Sequence, residues 1–218
     1  MTYNPQFHHR RSIRLKGYDY SRAGLYFITI CVQDRACLFG KIDNGNTVGE
    51  TLRGFPSLIL NDAGKMTERW YYELENKFPD KYCHEMIVMP NHFHCIIENA
   101  PEMGVHVATM GAHVGAPLRG RPITNERPIT NKRPENPYGP ENKKYNATIG
   151  AAMDWFKTMT TNEYIRGVKT LGWQPFNGKL WQRNYWEHII RDEQSYHRIS
   201  DYIINNPAKW SDDKFFVP

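Results

Sequence analysis

Apolar positions along this chain fall into short runs with different periods, and each period predicts an element. Leu25 to Val32 (LYFITICV) is rich in aromatic and β-branched residues, with Gly24 ahead and Gln33-Asp34-Arg35 behind, which predicts a buried strand. From Asn61 to Phe78 the apolar residues Met66, Trp70, Leu74 and Phe78 recur at helical spacing. They predict a helix capped by Asn61 or Asp62 and stopped by Pro79. Tyr82 to Pro90 and Asn91 to Glu98 are two more apolar runs joined at Pro90-Asn91. Either they form an antiparallel pair around a tight connection, or they are one longer strand with a bend. Ile149 to Ile165 carries Met153, Trp155, Phe156 and Met159 at helical spacing, and Asp192 opens a last helix that Pro207 ends after Asn206. This order of elements predicts an α+β fold, a small antiparallel sheet with helices packed on one face.

Between Ala100 and Thr148 the pattern breaks. Met103-Gly104-Val105-His106-Val107 is echoed by Met110-Gly111-Ala112-His113-Val114, and Arg121-Pro122-Ile123-Thr124-Asn125 recurs from Arg127 to Asn131. The periods are too short for a solenoid, and the composition cannot bury enough apolar surface to offset ordering. The segment at about 100–148 is therefore expected to be a flexible insertion within a single domain of residues 1–218. His106 and His113 are read as passengers of the repeat.

Charge narrows the class further. A formal net charge of +5 permits a nucleic-acid partner without establishing one. Its distribution is more informative, because Arg10, Arg11, Arg14, Lys16 and Arg22 stand against one acid, Asp19, in an N-terminal arm of residues 1–24. Such a run is a candidate grip for DNA phosphates, and equally a solvated arm. The aromatic stretch Trp173 to Trp186 could stack unpaired bases or form core. No segment approaches the roughly 20 apolar residues of a membrane span, and the N-terminus has no apolar export signal. Cys31, Cys37, Cys83 and Cys95 show no metal-ligand spacing, so reduced thiols and a cytoplasmic location are expected.

The candidate chemistry centres on His92-Phe93-His94. Residues two apart in a strand share a face, so both imidazoles project together and can chelate one ion. Nine histidines make a chance pair of this spacing common, so the pair alone is weak. In the last helix Tyr202 and Asn206 lie four apart, on one helical face, with Ile199 and Ile203 on the neighbouring flank. Taken singly, Tyr202 is the sort of tyrosine that serves in a core, and Asn206 that of a helix end before proline.

Met89-Pro90-Asn91-His92-Phe93-His94 resembles the motif His, hydrophobic, His (HUH) of single-tyrosine transposases. Arg10 to Lys41, Trp181 to Arg191 and Asp201 to Trp210 are similar to blocks of the REP-associated tyrosine transposases, in the same order. The similarity spans nearly the whole chain outside the insertion.

That resemblance implies a ferredoxin-like HUH nuclease fold and a bacterial, nucleoid-associated enzyme, working as monomer or homodimer. It would cut and rejoin single-stranded or hairpin (palindromic repeat) DNA through a 5′-phosphotyrosine link. Tyr202 would be the nucleophile, and His92, His94 and Asn206 would hold a divalent metal ion, Mg²⁺ or Mn²⁺. Tyr196 and Tyr185 are the rival nucleophiles, but Ser200 and Ile189 stand where an amide ligand is needed. Two other readings remain, a non-catalytic hairpin DNA- or RNA-binding module and a metal-dependent hydrolase. The second lacks a carboxylate near the histidine pair, because Glu85 precedes the strand and Glu98 lies beyond it.

Overall fold

The computed structural model describes residues 18–43, 56–100 and 143–216. Its centre is a four-stranded antiparallel sheet of β1 (Gly24–Cys31), β4 (Lys81–Met89), β5 (His92–Asn99) and β6 (Trp186–Ile190), in the order β4-β5-β1-β6. With α1 (Asp62–Lys77) and α2 (Ile149–Leu171) in the connections, the path is β-α-β-β-α-β, the ferredoxin-like arrangement. The α+β class is as expected from the order of the apolar runs. A small two-stranded ladder, β2 (Gly40–Asp43) with β3 (Ser57–Leu60), stands between β1 and α1. Neither strand was expected, since four residues leave little period to detect.

Strand alternation sorts the sheet into two faces. Tyr26, Ile28 and Ile30 of β1 and Phe93, Cys95 and Ile97 of β5 form the main core with Trp70 and Leu74 of α1 and Met153 and Phe156 of α2. The opposite face carries Ile96 and Ile190, and against it lie Tyr196, Ile199 and Ile203 of the last helix, α3 (Glu193–Ile204). Two helices thus share one face as expected, and the third adds a layer on the other.

Local chemistry explains the boundaries. Asn61 caps α1 by accepting from the Gly64 N–H at 2.9 Å, while its own amide donates to the Leu38 carbonyl at 2.9 Å. Asp192 caps α3 through the Ser195 N–H at 2.7 Å. Gly172, in the left-handed region at φ 71°, ends α2. Gly167 has a different role, because a Cβ there would lie 2.2 Å from the Trp173 ring. Trp173, Leu180, Trp181 and Tyr185 pack into or against the main core, with the Trp181 indole donating to Thr160 Oγ1 at 2.8 Å. Of the aromatic stretch considered for base stacking, only Trp186 is prominently exposed, at 59%.

Pro90 and Asn91 join β4 to β5 as a tight hairpin, so the alternative of one bent strand is excluded. A bulge between Cys83 and Met86 adds one residue to β4 relative to β5. It lets consecutive His84 and Glu85 both reach α3, where the Tyr196 hydroxyl donates to Glu85 and lies 3.4 Å from His84 Nδ1.

Candidate metal and tyrosine site

β5 starts with His92, and the β1 register pairs Thr29 with His94 and Cys31 with His92. Both imidazoles therefore sit on the α3 face, with Phe93 turned into the main core on the other side. The rings are 4.5 Å apart between centroids and are almost wholly buried. Their outer nitrogens are tied down. His92 Nδ1 lies 2.9 Å from Asn91 Oδ1, and the Asn91 amide donates to the Phe215 carbonyl at 2.8 Å and the Arg35 carbonyl at 3.2 Å. Those two donations fix which end of the amide is oxygen. His92 must then carry its proton on Nδ1, leaving the Nε2 lone pair free. His94 Nδ1 is held by Thr29 Oγ1 at 2.8 Å, and its Nε2 faces the Tyr202 hydroxyl at 3.3 Å.

Tyr202 reaches this point from α3, its ring edge-on to Phe27 at 6.1 Å and to His94 at 5.2 Å between centroids. Beyond α3, Asn206 keeps helical torsions, φ −57° and ψ −42°, so its side chain stays on the Tyr202 side, and Pro207 opens a short 3-10 turn to Asp212. That turn brings the C-terminal segment back over the histidines. Trp210 stacks on His92 at 5.9 Å and Phe215 lies against it at 4.7 Å. The Asn206 amide donates to Asp213 Oδ2 at 3.0 Å.

Asp213 is the residue that sequence reasoning missed. Among the described residues, His92, His94 and Asp213 form a cluster whose potential ligand atoms lie within 4.8 Å of one another. Asp213 follows Asn206 by seven residues across a proline turn, a spacing with no helical or strand periodicity to expose it. The expectation that no carboxylate stands near the histidine pair is therefore corrected.

A divalent ion fits this donor set. His92 Nε2 and Asn206 Oδ1 are buried with no hydrogen-bond partner among the described residues. Two buried acceptors without partners are costly unless something binds them. Burial also favours the form a ligand needs. It lowers His92 to about 4, against the opposing charge of Asp213, and it holds His94 well below the usual histidine range. Both rings are neutral at pH 7. Burial and the Asp213 charge push the Tyr202 phenol up to about 12, with the Asn206 amide opposing them.

The rival tyrosines are elsewhere. Tyr196 and Tyr185 are 3% and 7% exposed, whereas Tyr202 is 40% exposed. Arg22 lies just before Gly24, which pairs with Asn99, at the opposite end of β5 from the histidines. It is largely exposed and 4.0 Å from Asp19. Arg10, Arg11, Arg14 and Lys16 lie outside the described residues, as does most of the 100–148 segment. Among the described residues, Lys214, 4.7 Å from the Phe215 ring centroid and 5.7 Å from that of Trp186, and Arg35, 5.6 Å from Phe215, are cations that border the site.

Fold and site together define a ferredoxin-like α+β domain with a histidine-carboxylate cluster beside a half-exposed tyrosine. The chain is 35% identical over 218 residues to an uncharacterized protein of Haemophilus influenzae strain Rd, covering 99% of this chain and 97% of that one. It belongs to the same family as that protein. No family model matches the chain. Among solved structures it is similar to a REP-associated tyrosine transposase bound to a REP hairpin, at 16% identity and a TM-score of 0.43, covering 93% of this chain and 73% of that one. No helix among the described residues is long and apolar enough to cross a membrane.

Proposed function

We propose that this chain is a metal-dependent DNA strand transferase in which Tyr202 attacks a phosphodiester of single-stranded or hairpin DNA. One observation carries it. The Tyr202 hydroxyl lies 3.3 Å from His94 Nε2, beside the buried and unpartnered His92 Nε2 and Asn206 Oδ1. Tyr196, the rival on the same helix, donates to Glu85 and is buried, so it has no path to a phosphate.

His92, His94 and Asn206 are the residues that would hold the ion. When bound, a divalent cation supplies positive charge that polarises a phosphate and offsets charge developing in the transition state. Mixed nitrogen and oxygen donors suit Mn²⁺ better than Mg²⁺, and supply in a cell favours Mg²⁺. His94 Nε2 has one lone pair, so it serves either the Tyr202 hydroxyl or an ion. A phenol raised to about 12 is protonated at neutral pH, and its proton must leave as the new O–P bond forms. The departing 3′-oxygen takes up a proton, leaving a 5′-phosphotyrosine. One phosphoester replaces another, and a second 3′-OH can reverse the step without ATP.

DNA as substrate rests on the resemblance of the sequence blocks and on Lys214 and Arg35 at the border of the site. The test is incubation with a labelled single-stranded hairpin from palindromic repeats of the source genome, with Mn²⁺ or Mg²⁺, followed by a denaturing gel. A covalent adduct is expected from the wild type, and none above background from Tyr202→Phe or His92→Ala. Tight hairpin binding without adduct under either metal would leave a binding module instead. Asp213 gives a second enzymatic alternative its missing carboxylate, a hydrolase that activates water. Cutting that survives Tyr202→Phe would select it.

A further inference from the structure

The next step rests on the metal site just proposed. We propose that Asp213 is a direct ligand of the same metal ion, so that the C-terminal segment closes the centre with a carboxylate. Its potential ligand atom lies within 4.8 Å of those of His92 and His94. Its placement follows from a circuit of hydrogen bonds through the surrounding donors. His92 Nδ1–H donates to Asn91 Oδ1 at 2.9 Å, and the Asn91 amide donates to the Phe215 carbonyl at 2.8 Å. The Phe215 N–H donates to Asp213 Oδ1 at 2.7 Å, and Asn206 Nδ2 donates to Asp213 Oδ2 at 3.0 Å.

That last bond has two effects. It turns the Asn206 amide so that its oxygen, rather than its nitrogen, is the atom without a partner. It also leaves each Asp213 oxygen with lone-pair capacity for an ion. Two neutral imidazoles and an amide form an uncharged donor set, and a carboxylate makes it anionic. Mg²⁺ and Mn²⁺ prefer oxygen donors, and two nitrogens with two oxygens leave open positions in a six-coordinate ion for phosphate and water. Asp213 also belongs to the segment whose Phe215 ring covers His92 at 4.7 Å. Ion binding and docking of residues 213–216 are therefore linked, each strengthening the other.

The experiment measures Mn²⁺ binding by isothermal titration calorimetry on the full chain, for wild type, Asp213→Asn and His92→Ala. Asp213→Asn keeps the size and an acceptor oxygen but removes the charge. It should weaken Mn²⁺ binding by about 10–100-fold, and because its new NH₂ faces either the Phe215 N–H or the Asn206 amide, the metal-free melting temperature should fall as well. Hydrogen exchange of residues 213–216 should slow with Mn²⁺ in the wild type and not in Asp213→Asn. If Asp213→Asn binds like the wild type while His92→Ala does not, the carboxylate is no ligand and only this inference fails. If His92→Ala also binds like the wild type, the metal reading of the site fails with it. Should Asp213→Asn misfold, the wild type decides: Mg²⁺ should shift the Asp213 carboxyl ¹³C resonance. A response confined to the histidines would overturn the assignment.

Discussion

Thr29 shows how much of the site is set by residues with no chemistry of their own. It is 3% exposed, and its hydroxyl contacts His94 Nδ1 from the neighbouring strand at 2.8 Å. Such outer partners fix the tautomer and ring orientation of a ligating histidine. Thr29→Val keeps the shape and removes the hydroxyl. It should weaken Mn²⁺ binding by about 10–100-fold and lower stability by about 1 kcal/mol, measured by calorimetry and urea unfolding. Unchanged Mn²⁺ affinity would show that His94 needs no such support. Asn91 acts in the same way on His92, and it was legible in the sequence only as part of a turn. A strand partner 65 residues away is invisible to periodicity, because alternation assigns a face and not a neighbour.

At the scale of elements, the two helices under the sheet are joined by one acid. Glu163 of α2 accepts from Arg69 of α1 and, at 2.7 Å, from the Trp70 indole. Burial alone would raise its carboxyl, but the hydrogen bonds from Arg69 and Trp70, with the charges of Arg69 and Arg166, outweigh burial and leave it below the ordinary range. A carboxylate lowered in the folded state stabilises above its unfolded pKa, near 4.5, and loses that contribution as pH falls through its folded value. Glu163→Ala should therefore cost about 1–2 kcal/mol at pH 7, since the Trp70 N–H loses its acceptor. In urea titrations the gap to the wild type should narrow as pH falls below the unfolded value near 4.5. A gap independent of pH would mean that packing rather than charge is at work. The helical periods of α1 and α2 are plain in the sequence, yet nothing in either pairs Arg69 and Trp70 with Glu163.

Over the whole molecule, the site and the described residues that flank 101–142 stand at opposite ends of β5. The described chain leaves at Ala100, whose N–H donates to the Asp80 carbonyl at 2.8 Å, and Asn146 returns to Asp80 Oδ2 at 3.0 Å. Both anchors lie beyond Asn99, roughly 23 Å along the strand from His92 at about 3.3 Å per residue. Asp80 is itself paired with fully buried Lys81 at 2.8 Å, which makes this junction a fixed point. Replacing residues 104–140 by a Gly/Ser linker of about six residues should preserve the fold and raise stability by about 1 kcal/mol through the shorter loop. Thermal unfolding and adduct yield would check it. A collapse of either would mean that the segment takes part in the domain or its chemistry.

The sequence by itself determined the α+β class, the three helices, a cap at Asn61 or Asp62 and another at Asp192, and that both histidines of β5 share one side. Each of these follows from local periodicity, a capping side chain or a proline, and needs only a few consecutive residues. The preference for Tyr202 over Tyr196 came from the family resemblance of the sequence blocks, which implies an amide four residues after the nucleophile. Tertiary structure decided the rest. The packing of α3 on the second face of the sheet sets Tyr202 against His94. The return of the chain after Pro207 brings Asp213 to the histidines and Phe215 over them. These depend on which distant surfaces meet, a property of the packed core that no window of consecutive residues contains.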